Sequence, residues 1–222
     1  MFRGILILCG LGLSFTSNVI FGSKIGFISS EYDTGFTPKS PAFAIWSLIY
    51  IGLIATGISE IIGSDLTDLY TYMLFAALIC MSAWVPAFIM SNFVLSTGFL
   101  WMATCLSCIC ARLTNQFTNG DIIVILCINV PTALLAGWLI VASSLGTLIV
   151  LKKNNYSIPW TSPILIANLI GTIGIAIQNP VLFVPGIWAI ALMKCTRTTI
   201  TALILVLIFC GCSLFLQFRI YL

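Results

Sequence analysis

The sequence predicts an all-α bundle of transmembrane helices, and three observations carry that prediction. The chain has 222 residues, 60% of them hydrophobic and only 7% charged, with a mean hydropathy of +1.17; a soluble domain carries about 25% charged residues. Apolar runs close to the ~20 residues that span a bilayer recur from end to end. The breaks between them hold the Gly, Pro, Asn and Asp expected of turns. No long hydrophilic segment divides the chain, so residues 1–222 read as a single membrane domain.

Eight spans follow in order: 4–21, 43–62, 69–90, 93–113, 122–151, 163–177, 181–193 and 199–216. The first follows Met1-Phe2-Arg3 directly and lacks a small-residue cleavage site, so it reads as a retained helix. The second follows a loop, 22–42, that carries Pro38 and Pro41. Asp65 or Thr67 before the third span, and Asn119 or Asp121 before the fifth, are N-cap residue types. Asn179-Pro180 suits a helix start. The seventh span is short and contains Pro185-Gly186, which fits a re-entrant or tilted helix; without it the count is seven. Glu60, near a helix end, is expected to reach the interface. Asn129 and Asn168, well inside theirs, are expected to bond between helices.

Eight spans place Lys24, Lys39, Lys152, Lys153, Lys194 and Arg197 on one side and Arg3, Arg112 and Arg219 on the other. The cation excess puts the 22–42 loop on the cytoplasmic (positive) side.

Composition also narrows the chemistry. The chain has no histidine, which removes His-based acid/base catalysis and His-ligated haem or zinc. The six acidic residues all lie at or before Asp121, mostly in loops, with no paired-carboxylate pattern, so no enzyme is expected. Most of the nine cysteines sit inside apolar runs, where packing is their ordinary role; no metal site is expected. The small net charge of +3 gives no footprint for nucleic acid. A proton- or ion-coupled transporter normally needs ionisable groups within the membrane, and these are scarce here.

Aromatic residues carry the positive signal. Phe43, Trp46 and Tyr50 form one stripe at i, i+3 and i+7 directly beneath the proline-stiffened loop. Trp84 and Trp138 fall toward the loop-side ends of their helices, and Trp160 precedes its helix on that side. An interfacial aromatic belt explains such a distribution. So does a cavity walled by flat rings. Pro86 and Pro131 each free a backbone carbonyl, which lipid cannot satisfy, so their helix faces are expected to point inward.

Three segments resemble the translocator protein / tryptophan-rich sensory protein (TspO/MBR) family. Phe36-Thr37-Pro38 followed by Phe43-Ala-Ile-Trp46-Ser-Leu-Ile-Tyr50 looks like its loop and second-helix signature. Met81-Ser-Ala-Trp84-Val-Pro86-Ala-Phe88 is similar to its third-helix region. Leu134-Leu-Ala-Gly-Trp138-Leu-Ile-Val-Ala142 is similar to its fifth-helix segment. The third-helix asparagine and first tryptophan of that pattern fall on Met81 and Ser82, and Ser144-Leu145-Gly146 stands where the fifth-helix asparagine would.

The resemblance implies a five-helix core over residues 1–152 with 22–42 as its lid, and three additional helices over 153–222. It implies a ligand pocket lined by Phe43, Trp46, Tyr50, Trp84, Pro86, Trp138 and Ala142. It further implies a tetrapyrrole or a sterol- or lipid-like molecule as ligand, bound without catalysis. The expected partners are the lipid bilayer, this hydrophobic small molecule, and a second copy of the chain or a larger membrane complex. A structural subunit of a respiratory or photosynthetic assembly is the alternative function, and a small-solute transporter the weaker one.

Overall fold

A computed structural model describes residues 1–63, 66–117, 122–194 and 196–220. Eight helices account for nearly all of it: α1 (Phe2–Glu31), α2 (Ile45–Ile62), α3 (Asp68–Ile89), α4 (Phe93–Phe117), α5 (Ile122–Lys153), α6 (Ser162–Ile177), α7 (Phe183–Ala191) and α8 (Arg197–Ile220). No strand occurs among the described residues. Six of the helical segments are long and apolar enough to cross a membrane, and α6 and the Pro180–Ala191 segment are shorter apolar helices. The protein is therefore an all-α, multi-pass membrane bundle.

The first five helices close into a ring in the order α2, α1, α3, α4, α5, with α5 returning to α2. The C-terminal three form a second layer: α7 packs on α5, and α8 on α6 and α7. The ring is tight at the end away from the first loop. There α1 crosses α2 so closely that a Cβ on Gly4 would lie 2.3 Å from the Gly57 carbonyl oxygen. Tyr70, Leu74, Leu78, Met81, Leu53 and Ile49 fill the ring beside it.

Most helix limits fall where the punctuation predicts. Thr67 caps α3 by accepting from the Tyr70 N–H. Gly63 ends α2 with a φ of 117°. Asn179 accepts from the Val181 N–H and opens the 3-10 turn Pro180–Leu182 that leads into α7. Asp65, Asn119 and Asp121, the other cap candidates, lie outside the described residues.

The first helix differs. It does not stop at 21 but runs 30 residues to Glu31, about 45 Å at 1.5 Å per residue. Its last turns are held by tertiary contact: Ile25, Ile28 and Tyr32 pack on Phe88, Phe93 and Ile149, with the Tyr32 and Phe93 rings edge-to-face at 4.8 Å. A turn at Asp33–Gly35, closed by the Gly35 N–H on Asp33 Oδ1 and by a φ of 80° at Gly35, then ends it. The irregular part of the 22–42 loop is thus confined to residues beyond Glu31, followed by the 3-10 turn Ser40–Ala44.

Two prolines shape the ring, and each leaves a carbonyl that a hydroxyl from a neighbouring helix satisfies. Pro131 has no N–H for the Cys127 carbonyl, and α5 widens there into a π turn, Ile125–Asn129. Thr56 Oγ1 of α2 donates to that carbonyl at 2.6 Å. In α3, Pro86 leaves the Ser82 carbonyl without an N–H, and Ser17 Oγ of α1 donates to it at 3.1 Å. The Pro131 ring is buried against Gly52. The Pro86 ring is exposed, contrary to expectation: the inward requirement falls on the freed carbonyl, one turn earlier, and not on the ring.

Two polar expectations fail as well. Glu60 is buried, 2% exposed, and accepts from the Leu66 N–H instead of reaching the interface. Asn168 is exposed and, among the described residues, bonds only to the Ile164 carbonyl of its own helix. Asn129 does join helices. Its Nδ2 donates to Asn115 Oδ1 at 2.9 Å and to Thr114 Oγ1, and its Oδ1 accepts from Asn179 Nδ2 at 3.0 Å. Asn179 Nδ2 also donates to Asn115 Oδ1. This trio ties α4, α5 and the start of α7 together.

Candidate ligand cavity

Beneath the first loop the ring holds a cavity of about 1140 Å³. That is just above the ~300–1,000 Å³ of ordinary small-molecule sites. All five core helices and the loop contribute to its wall. Packing explains why the space is here. The Gly4–Gly57 crossing draws α1 against α2 at the far end, whereas large rings prop the helices apart at the loop end.

Those rings form a connected set. Trp46 and Tyr50 stack at 5.5 Å with planes 23° apart. Trp46 meets Trp138 edge-on at 6.0 Å, and Phe43 meets Trp138 at 5.8 Å. Such arrangements suit the ring quadrupoles. Tyr50 is further fixed by its hydroxyl, which accepts from Asn18 Nδ2 at 3.0 Å and lies 3.3 Å from Ser14 Oγ. Trp84 faces Phe88 on the α3 side, and Ala142 lies one turn beyond Trp138 on α5.

Phe43, Trp46, Tyr50, Trp84, Trp138 and Ala142 thus lie together on the cavity wall. Pro86 does not line it, since its ring faces outward. Trp160, at 71% exposure, is a surface residue that suits the interfacial belt. Phe15, Asn18, Phe88, Phe93 and Leu145 also line the cavity but went unassigned from sequence. Phe15 could have been found by its register on α1; the others sit in apolar runs with no distinguishing pattern.

The cavity is open as well as lidded. Phe15 and Val19 of α1, and Ile51 and Ile54 of α2, line it and are themselves exposed, which places a side opening in the seam between these two helices. The lid is held from the C-terminal layer. The Lys39 N–H donates to the Leu192 carbonyl at 3.0 Å, and Trp188 Nε1 donates to the Ala42 carbonyl at 3.0 Å. At the base of α7 the Leu182 carbonyl oxygen lies so near α5 that a Cβ on Gly137 would come within 2.2 Å of it. Sequence reasoning missed this support, because Trp188 lies 146 residues from the loop it touches.

Fold and site together define a polytopic helical membrane protein with an aromatic, loop-covered cavity in a five-helix ring. The family model described as TSPO-like protein matches residues 1–219, so the chain belongs to the TSPO-like family. The match includes the three C-terminal helices. No curated protein and no solved structure matches the chain.

Proposed function

We propose that this protein binds a flat hydrophobic small molecule, tetrapyrrole- or sterol-like, in the cavity under the first loop, for sensing, sequestration or transfer and without catalysis. The observation that carries the reading is the continuous wall of Trp46, Tyr50, Trp138 and Phe43 around a space of about 1140 Å³. Stacked and edge-on rings give a planar guest a large contact area at little entropic cost. The seam between α1 and α2 offers such a guest a route from the bilayer. On this reading the loop faces the cytoplasm, which the cation excess on its side of the sequence supports.

Titration of the purified protein with a porphyrin tests the binding. Saturable quenching of tryptophan emission is expected, with weaker affinity in Trp46→Ala and in Trp138→Ala. Ala142→Trp, which fills the cavity without deleting a ring, should abolish it. Unsaturable quenching that none of these changes alters would refute the reading.

A second reading is a structural subunit of a larger membrane assembly, or a homodimer. Helix α8 favours it: Ile200, Ile204, Leu207, Ile208 and Phe215 along it are all exposed. Co-migration with a large particle in mild detergent is its signature, and migration as a monomer speaks against it.

A further inference from the structure

We infer that Trp188 of α7 is a positioning residue for the cavity: acting through the Ala42 carbonyl, it sets the Phe43 ring against Trp138 and so governs how fast a ligand enters and leaves. This rests on the binding role proposed above, and it gives a part in that role to a helix outside the five-helix ring.

Phe43 and Trp138 meet edge-on at 5.8 Å, but they come from unlike structures. Trp138 is 2% exposed and sits inside the long helix α5. Phe43 is 44% exposed and belongs to the five-residue 3-10 turn Ser40–Ala44. That turn is weak on its own. Its hydrogen bonds have poorer geometry than those of an α-helix, and Pro41 contributes no N–H. Its N-cap, Lys39, makes no side-chain cap bond among the described residues. The hold on Phe43 therefore comes from outside the turn.

Helix α7 supplies that hold at two points. Trp188 Nε1 donates to the Ala42 carbonyl at 3.0 Å, and the Leu192 carbonyl accepts from the Lys39 N–H at 3.0 Å. Trp188 and Leu192 stand one helical turn apart and share a face. Their partners run in the opposite sense, Ala42 before Lys39. Two attachments a turn apart fix the direction of the 3-10 turn as well as its place, and Ala42 directly precedes Phe43. The Ala42 carbonyl also accepts from the Ile45 N–H, so the indole takes its second lone pair.

The foot of α7 stands on the helix that carries Trp138. A Cβ on Gly137, the residue before Trp138, would lie 2.2 Å from the Leu182 carbonyl oxygen. The Phe183 ring fills the space left by Gly174 of α6, where a Cβ would come within 2.4 Å of it. Asn179 ties the same foot to Asn115 and Asn129. Phe183 and Ala189 are fully buried, so close packing holds α7 in place. The contacts form a bracket, from Trp138 through Gly137 and Leu182, along α7 to Trp188, and through Ala42 to Phe43. That bracket sets the gap between the two rings. Trp188, at 43% exposure, is its least enclosed link and the place where it opens.

The test uses the full chain in nanodiscs of zwitterionic lipid and has two readouts. The first needs no ligand: a fluorine on the Phe43 ring reports its place against Trp138, whose ring current shifts the resonance. Trp188→Phe should move that resonance toward the position of free fluorophenylalanine. The second is stopped-flow mixing with protoporphyrin IX, followed by tryptophan quenching. Trp188→Phe should raise kon and koff together by about two- to ten-fold, the worth of one hydrogen bond, and change Kd less. Phe43→Ala should speed exchange likewise, and adding Trp188→Phe to it should change the rates no further. Because the Trp188 ring is half exposed, its replacement by Phe is expected to fold.

A purely structural role would lower the melting midpoint in both backgrounds and leave the rates alone. Unchanged rates in Trp188→Phe, with or without a moved resonance, would overturn the positioning role while leaving the cavity a binding site. Equal acceleration by Trp188→Phe with and without the Phe43 ring would overturn it too, since the effect would not pass through Phe43. Failure of the wild-type chain to bind the porphyrin saturably would overturn the binding reading and this inference together.

Discussion

The bond between Thr56 and the Cys127 carbonyl is open to a sharp test, because the chain shows both why the carbonyl is free and what satisfies it. Pro131 withholds an N–H, and Thr56 Oγ1 supplies the replacement at 2.6 Å across the α2–α5 contact that closes the ring. Thr56→Val keeps the shape and removes the donor. The orphaned carbonyl then carries a desolvation cost of about 1–3 kcal/mol. Polar contacts between transmembrane helices average nearer 0.6 kcal/mol when measured by double-mutant cycles. The higher range is expected here, since Thr56 is fully buried and the proline removes the alternative partner.

The assay is reversible unfolding in mixed micelles, run as a cycle with Pro131→Ala. Restoring an N–H at 131 gives the carbonyl an intrahelical partner, so Thr56→Val should cost much less in that background. A coupling of about 1 kcal/mol or more between the two positions is expected. Equal costs of Thr56→Val with and without Pro131 would refute the idea that the hydroxyl compensates for the proline.

Other perturbations follow from the same geometry. Gly137→Ala sets a Cβ against the Leu182 carbonyl oxygen and should destabilise by about 1–3 kcal/mol through overpacking, seen as a lower midpoint in detergent melting. Trp188→Phe removes the bond to the Ala42 carbonyl and should raise hydrogen exchange across residues 36–44, with a stability loss of about 0.5–1.5 kcal/mol. Tyr50→Phe keeps the stacking on Trp46 but frees Asn18 and Ser14; it should cost about 1 kcal/mol in micelle unfolding and leave porphyrin affinity within about two-fold. Asn179→Leu strands Asn129 Oδ1 and takes one of two donors from Asn115 Oδ1; it should destabilise by about 1–3 kcal/mol, measured in the same way.

The sequence declared its helices through length and hydropathy, and its aromatic stripe through register. Phe43, Trp46 and Tyr50 were legible because one short segment carries them and a proline-rich loop precedes them. Trp138 and Trp84 could be placed by counting direction from span to span. What stayed hidden depends on contacts between distant segments. The last turns of α1 read as loop, since Gly22, Ser23 and Gly26 are weak helix formers; packing of Ile25, Ile28 and Tyr32 on Phe88 and Phe93 overrides that weakness. Asn129 and Asn168 looked alike, both polar and mid-helix. Only the fold shows that one meets Asn115 and Asn179 while the other faces outward. Pro86 misled because a proline's structural demand falls four residues before its ring, on the Ser82 carbonyl. The support that α7 gives the loop through Trp188 and Leu192 is long-range and leaves no local signature.

The central claim is that the aromatic cavity holds a ligand, and native mass spectrometry of the protein extracted gently from its own membrane tests it most directly. A chain carrying one hydrophobic molecule, lost in Ala142→Trp, is the expected result, and its mass would identify the class. A chain released empty from a stable multi-subunit particle would contradict the claim and make assembly the role of these helices.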